Sequence, residues 1–183
     1  MTAMRLLADE LGVHERTLRR ALARGTVRAI RPTPRTLDLP MSERRYLRRA
    51  WPLLSGLCAS LRTEQNVRFA LLFGSTASGA DTSASDVDLL VDLRDPSLER
   101  MVDLSTKLTA AIGRRVDLVR LTDAEQEPAF LAAAIADGRV LVDREQLWQR
   151  LRQHEIVIRR DSATQERRRT RAALAGIDRL FAD

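Results

Sequence analysis

Two carboxylates two residues apart, Asp86 and Asp88, follow the pair Gly74-Ser75 after a spacer of ten residues. Alternate residues of a β-strand project from the same face, so both carboxylates are expected to point at one spot. Carboxylate oxygens of this kind bind Mg²⁺, and a metal pair about 3.5 to 4 Å apart clamps the attacking and leaving oxygens of a phosphoryl transfer. The spacing therefore indicates nucleotide chemistry.

The pair Gly74-Ser75 ends an apolar run, 67–73, that is typical of a buried strand. Glycine lets backbone amides approach an anion closely, and the Ser75 hydroxyl is a further donor. A helix that starts after Gly74 would turn its positive end toward the same anion. We therefore predict that Gly74 and Ser75 bind the phosphates of a nucleotide.

The elements that position these residues follow from the apolar spacing. A strand at 67–73 and a strand over 86–91 precede a helical pattern formed by Leu98, Met101, Val102, Leu104, Ser105 and Leu108. A third strand, Arg115–Leu121, carries Asp117. The order strand, helix, strand, helix, strand predicts a small mixed sheet with helices packed against it.

The hexapeptide GSTASG at 74–79 and the heptapeptide SDVDLLV at 85–91 resemble the nucleotidyltransferase superfamily that includes polymerase beta. They are most similar to its minimal bacterial members, and the resemblance spans residues 66–142. It implies Asp86 and Asp88 as catalytic metal ligands, with Asp117 as a third ligand or as the base for the attacking hydroxyl. It also implies Mg²⁺ as cofactor and ATP or another nucleoside triphosphate as donor.

One position departs from that family pattern. Ser78 stands where an arginine is usual, and serine cannot make the bidentate charged contact of arginine with phosphate. The departure predicts weaker nucleotide affinity or turnover, unless Arg114 or Arg115 supplies the charge.

The amino-terminal segment predicts two short helices across a glycine turn. Met4, Leu7, Ala8 and Leu11 form the first apolar stripe; Gly12-Val13 interrupts it; a second helix runs from about His14 to Arg24, with Gly25 ending it. The string 7–20 is similar to the helix-turn-helix of bacterial transcription regulators. On that resemblance Arg16, Thr17, Arg19 and Arg20 face DNA phosphates and base edges, and His14 helps to cap or pack the helix. A solvated arginine face or a dimerisation hairpin is the alternative.

The next segments predict a wing and a long helix. The stretch 28–39 resembles a wing because Pro32 and Pro34 exclude a helix and basic residues flank them. Ser42 is expected to cap a helix that reaches about Arg62, with Pro52 causing a kink or a break into two helices at Trp51.

The carboxyl-terminal part predicts a last strand over Val140–Val142 and two helices, from Glu145 to about Ile158 and from Ala163 to about Phe181. The charged stretch 165–171 is expected to be a solvated helix face, with nucleic-acid binding as the alternative. The terminal amphipathic helix offers a docking surface for a partner subunit.

Composition limits the class of protein. The 183 residues include 44% hydrophobic and 31% charged residues, with a formal net charge of +6. The positive charge lies in 1–51 and 143–183, whereas 52–142 is net acidic, as a divalent-metal site would leave it. A single cysteine and two distant histidines argue against a disulfide, a zinc site and a histidine-dependent triad. We find no signal peptide and no membrane-spanning run, and expect a cytoplasmic protein.

These observations predict an α+β protein: a small mixed-sheet nucleotidyltransferase core with flanking helices, preceded by a winged helix-turn-helix domain and followed by C-terminal helices. The expected domains are 1–41, a linker helix at 42–65, the transferase at 66–142 and helices at 143–183. The resemblance implies an antitoxin that transfers AMP to a partner toxin, with DNA binding for autoregulation. A regulator with an inactive transferase domain, or a toxin acting on tRNA, is the alternative, and a homo-oligomer is compatible with each.

Overall fold

The computed structural model describes residues 3–33 and 36–153. The helices are α1 Ala3–Glu10, α2 Glu15–Arg24, α3 Met41–Thr63, α4 Gly74–Ser78, α5 Leu98–Ile112, α6 Leu121–Ala124, α7 Pro128–Ala136 and α8 Leu147–Gln153. The strands are β1 Ile30–Thr33, β2 Thr36–Asp38, β3 Val67–Phe73, β4 Val87–Leu93, β5 Val116–Arg120 and β6 Arg139–Asp143.

The central sheet has four strands in the order β5-β4-β3-β6. Strand β3 pairs antiparallel with both β4 and β6, whereas β4 and β5 run parallel. A parallel pair needs a crossover connection, and α5 supplies it between β4 and β5. The predicted mixed sheet and the α+β fold class are confirmed.

Both faces of the sheet are covered, so its central strands carry nearly continuous apolar runs. One face packs against helices α1, α2, α3 and α5 through a cluster that includes Leu18, Leu57, Leu89 and Leu108. The other packs against α6, α7 and α8 through a smaller cluster that includes Leu90 and Leu131. In α5, Leu104 and Leu108 are buried as expected, but Leu98 and Val102 are exposed at 80% and 55%.

The predicted amino-terminal helix pair is confirmed as α1 and α2. Gly12 has a φ of +65° in the turn, and His14 caps α2 by accepting a hydrogen bond from the Arg16 amide. Gly25 ends α2 in the left-handed conformation with φ +95°. The segment after α2 contains the antiparallel strand pair β1–β2, and a wing that contacts DNA stays a prediction.

Helix α3 differs from the prediction in two ways. Pro40 is its N-cap and α3 begins at Met41, so Ser42 lies inside the first turn and does not cap it. Pro52 lies within one continuous helix of 23 residues, and its loss of an amide donor does not break the helix. Burial of Trp51, Leu54 and Leu57 against the sheet supplies the packing that keeps α3 continuous.

The predicted last strand is confirmed as β6, which extends one residue further at each end. Helix α8 begins at Leu147, after Asp143 has accepted hydrogen bonds from the Leu147 and Trp148 amides. The end of the predicted helix 145–158, the helix Ala163–Phe181 and the charged stretch 165–171 lie outside the described residues. The sequence analysis missed α6 and α7. No helix in 3–33 or 36–153 is long and apolar enough to cross a bilayer.

Candidate active site

The turn after β3 brings backbone against a carboxylate. Gly74 has a φ of +71°, a conformation that side chains disfavour, and it opens the five-residue helix α4. A Cβ placed on Gly74 would lie 2.7 Å from Oδ2 of Asp88. The backbone conformation therefore favours glycine here, and a larger residue would have to push the Asp88 carboxylate aside. The predicted helix after Gly74 is present, but at five residues it offers amide groups rather than a full macrodipole.

Three acidic residues lie where β4 and β5 begin. The parallel register pairs Asp88 directly with Asp117, and Asp86 immediately precedes β4. The same register places Phe73, the last residue of β3, opposite Asp88, so the turn at Gly74 lies at this edge. The fold thus gathers the predicted site residues Gly74, Asp86, Asp88 and Asp117, and we call the three carboxylates the acidic edge.

The charges of the acidic edge act on one another. Burial raises the pKa of Asp88 above its ordinary value, and the negative charges of Asp117 and Asp86 raise it further. Arg115 partly offsets this charge: its Nε donates to Oδ1 of Asp117 at 3.0 Å, and its Nη1 lies 3.9 Å from Oδ2 of Asp86. The Arg115 side chain is 70% exposed, so water screens both contacts.

The donor set fits a hard divalent cation, because it consists of carboxylate oxygens beside a site where negative charge is concentrated. Across 3–33 and 36–153, no three aspartate, glutamate, histidine or cysteine side chains already form a metal-holding group. An ion bound by Asp86, Asp88 and Asp117 would have to draw their side chains together.

A buried arginine holds the turn from behind. Arg139 in β6 donates from Nε to the Ala77 carbonyl at 2.8 Å and forms a bidentate pair with Glu43 of α3, at 2.6 and 2.8 Å. The side chains of Arg139 and Glu43 are only 2% and 6% exposed. The guanidinium also stacks on Tyr46, 3.7 Å from the ring centroid, and the Tyr46 hydroxyl donates to the Thr76 carbonyl at 3.1 Å. Two side chains therefore fix the carbonyls of α4.

The same pair reaches the amino-terminal segment. Arg139 Nη1 donates to the Thr26 carbonyl at 3.2 Å, and Glu43 Oε1 accepts from the Arg28 amide at 2.9 Å. Sequence reasoning missed this network, since Glu43 and Arg139 are separated by 96 residues. A charged residue inside an apolar strand, as in the run 139–142, was the available signal.

Two further arginines flank the turn. Arg114 donates from Nη2 to Ser85 O at 2.6 Å and lies 3.3 Å from the Thr76 hydroxyl, while Arg49 donates to Gly79 O at 2.8 Å. Both also pair with Asp81. Ser78 turns its hydroxyl back to Ser75 O at 3.0 Å. Arg114 thus lies beside the turn and Arg115 at the acidic edge; a phosphate contact by either stays a prediction.

The predicted DNA-reading residues share one surface of α2. Arg16, Thr17, Arg19 and Arg20 are all exposed, whereas Leu18 and Ala21 are buried against the core. Arg19 is paired with Glu15 at 2.6 Å along the helix. The four residues lie together on α2, and they are far in sequence from the acidic edge.

Fold and acidic edge together define a nucleotidyltransferase domain. Residues 57–147 match the family model described as polymerase beta, nucleotidyltransferase, and this segment of the chain belongs to that family. The chain is 45% identical over 60 residues to protein adenylyltransferase MntA of Thermococcus cleftensis. The aligned region covers 32% of this chain and 61% of that protein. The match thus spans about three fifths of the curated relative's length.

A solved structure shares the fold. A mutant of the toxin-antitoxin MntA-HpeT superposes with a TM-score of 0.51 at 24% identity, over 70% of this chain and 98% of the other. A toxin-antitoxin crystal structure with AMP-PNP gives a TM-score of 0.48 at 22% identity, over 70% and 98%.

Proposed function

We propose that this chain transfers a nucleotide, in the simplest case AMP, from a triphosphate to a macromolecular acceptor. The observation that carries the proposal is the acidic edge, where Asp88 and Asp117 are paired in register beside the glycine at 74. The name of the Thermococcus cleftensis relative, protein adenylyltransferase, supports AMP as the transferred group and a protein as the acceptor.

Each residue has a role in this reaction. Asp86 and Asp88 would hold Mg²⁺, while amides at Gly74 and Ser75 bind the outer phosphates. Asp117 would either complete the metal site or accept the proton of the attacking hydroxyl. Mg²⁺ held there would supply positive charge to the triphosphate and to the leaving oxygen.

A partner toxin is the acceptor that we propose. A toxin-antitoxin pair is among the structures that share this fold, and one of its two named components, MntA, carries the same name as the curated relative. Purified protein, labelled ATP, Mg²⁺ and the neighbouring gene product should give a labelled acceptor. Asp86→Ala plus Asp88→Ala should abolish labelling, whereas Asp103→Asn, an exposed carboxylate on α5, should leave it unchanged. Labelling of bulk tRNA instead would favour the alternative of a toxin acting on tRNA.

The turn can be tested without knowledge of the acceptor. Gly74→Ala should abolish ATP binding in calorimetry, because the new Cβ meets Asp88 and the φ of +71° is strained. Gly113→Ala is the matched control: its φ is +68° and no atom lies within 4 Å of the new Cβ. Equal ATP affinity in both variants would contradict the assignment of the turn.

DNA binding through α2 is the second part of the proposal, and it would give autoregulation. The exposed residues Arg16, Thr17 and Arg20 support it, because within the described chain the two arginines have no carboxylate partner. Arg19→Ala plus Arg20→Ala should weaken a mobility shift with the chain's own upstream DNA. An unchanged shift means that α2 is not the reading helix. If the nucleotide-labelling experiment gives no labelled acceptor under any condition, the alternative of a DNA-binding regulator with an inactive transferase domain is favoured.

A further inference from the structure

A small cavity between α2 and α3 is lined by three arginines. Arg20 and Arg24 come from α2 and Arg62 comes from the end of α3, around a volume of about 130 Å³. Among the described residues that line it, none is acidic. We call this cavity the α2–α3 pocket.

The hydrogen bonds of these arginines leave their charges uncompensated. Arg24 donates to Leu141 O at 3.2 Å and to Cys58 Sγ at 3.6 Å, and Arg62 donates to Cys58 O at 3.1 Å. Arg20 has no hydrogen bond or ion pair within 3–33 and 36–153. Carbonyl and thiol groups are neutral, so three positive charges share one cavity, with no counter-charge among its described lining residues.

The pKa of the Cys58 thiol is affected by two of these positive charges, because both lie close to it. Burial raises its pKa, while the positive charges of Arg24 and Arg62 both act to lower it. The two guanidinium groups therefore converge on the same buried point from different helices. Their mutual repulsion is relieved by an anion between them.

The rest of the lining suits a phosphate. Thr17 and Ser55 line the pocket, and the Ser55 hydroxyl donates to Pro52 O at 3.0 Å, so Thr17 is the hydroxyl group that can donate to a ligand. Trp51, which is 8% exposed, forms part of the apolar wall. Guanidinium groups bind phosphate oxygens through paired, charge-assisted hydrogen bonds, and hydroxyl groups add neutral ones.

We propose that the α2–α3 pocket binds a phosphate group. The group belongs either to a DNA backbone that lies across α2 and α3 or to a small phosphate in solution. In the first case the DNA-binding surface extends from α2 onto α3, which rests on the proposed DNA binding. In the second, a small phosphate ligand would occupy Thr17 and Arg20 and compete with DNA for them.

Trp51 provides the readout. The chain has two tryptophans, so fluorescence in a Trp148→Phe background reports on Trp51 alone. The full chain is titrated with inorganic phosphate and, separately, with a short DNA duplex. Arg62→Ala should weaken binding about tenfold, as the loss of one charge-assisted contact predicts. Arg45→Ala, an exposed arginine of α3 outside the pocket, is the matched control and should bind as the parent does.

The two probes distinguish the sources. Saturable phosphate binding that Arg62→Ala weakens identifies a small-ligand site. A duplex response alone, with Arg62→Ala reducing the salt dependence by about one counterion, identifies a backbone contact. If Arg62→Ala and Arg20→Ala both respond to phosphate and duplex as Arg45→Ala does, the proposal is wrong. That result leaves nucleotide transfer untouched, because labelling depends on Asp86 and Asp88.

Discussion

Arginine meets carboxylate in two contrasting regions of this molecule, behind the turn and at the acidic edge. Arg139 and Glu43 are almost fully buried and are joined by two parallel hydrogen bonds. Arg139 also donates to two backbone carbonyls. Arg115 is 70% exposed and touches Asp117 through one close contact. The two pairs therefore differ in what their loss does: removal of one buried partner leaves the other charge buried and unpaired, whereas the exposed contact of Arg115 can be replaced by a contact with another cation.

Loss of the buried arginine should have the largest effect. Arg139→Ala leaves Glu43 charged and unpaired inside the protein, at a cost of about 3 to 5 kcal/mol in the free energy of unfolding. Denaturant unfolding measures it. Replacing both partners, Glu43→Met plus Arg139→Met, should cost less than the sum of the single changes. A simple sum would show that the two side chains do not act as a pair.

Tyr46 tests the same buried region through pH. Burial raises the pKa of Tyr46 to about 12, although the charge of Arg139 opposes the shift. The folded protein therefore holds the phenol proton more tightly than the unfolded chain, whose tyrosine titrates near pH 10. This stabilisation is complete below about pH 10 and is lost as the pH rises through about 12, by roughly 2 to 3 kcal/mol.

The measurement is direct because Tyr46 is the only tyrosine in the chain. Phenolate absorbance gives its titration, and urea unfolding from pH 9 to 11.5 gives the stability. Tyr46→Phe should remove this part of the pH dependence. A phenol that titrates near pH 10 in the folded protein would contradict the burial argument.

Loss of the exposed pair between Arg115 and Asp117 should have the smallest effect on stability, and it should also change the affinity for metal ions. Arg115→Ala should change the free energy of unfolding by no more than about 1 kcal/mol. It should also strengthen Mn²⁺ binding several-fold in calorimetry, because the Asp117 oxygen bonded to Arg115 becomes free for the ion. Arg120→Ala, which removes an exposed pair with Asp123 on the next element, is the control. Weaker Mn²⁺ binding in Arg115→Ala would contradict the argument that Arg115 and the ion compete for the same Asp117 oxygen.

Local sequence patterns predicted the parts of the site that depend on local geometry. Gly74, Asp86 and Asp88 follow from strand period and turn chemistry, and the register of β4 with β5 brought Asp117 to them. The network of Arg139 could not be predicted in the same way, because its partners come from the turn after α2, from α3 and from α4, and they meet only through tertiary packing. Roles of the acidic residues in catalysis stay predictions.

The errors have the same physical origin. Pro52 lacks the amide donor that helix hydrogen bonding needs, which would break an isolated helix, but one face of α3 is buried and this packing outweighs the lost bond. Ser42 is a good cap by residue type, yet the chain enters the helix at Pro40. Helix α7 was missed because its run of alanine, leucine and phenylalanine shows no amphipathic period.

The contact of the α2 end with β6 bears on aggregation. Strand β6 is an outer strand of the sheet, and such edges expose unpaired groups that can recruit another chain. Here Val140 donates to Gly25 O at 3.2 Å, and the Thr26 hydroxyl donates to Val140 O at 2.5 Å. A fragment lacking residues 1–41 would therefore expose the unpaired backbone groups of β6. We expect such a fragment to self-associate more readily than the full chain, because the amino-terminal segment covers this strand edge.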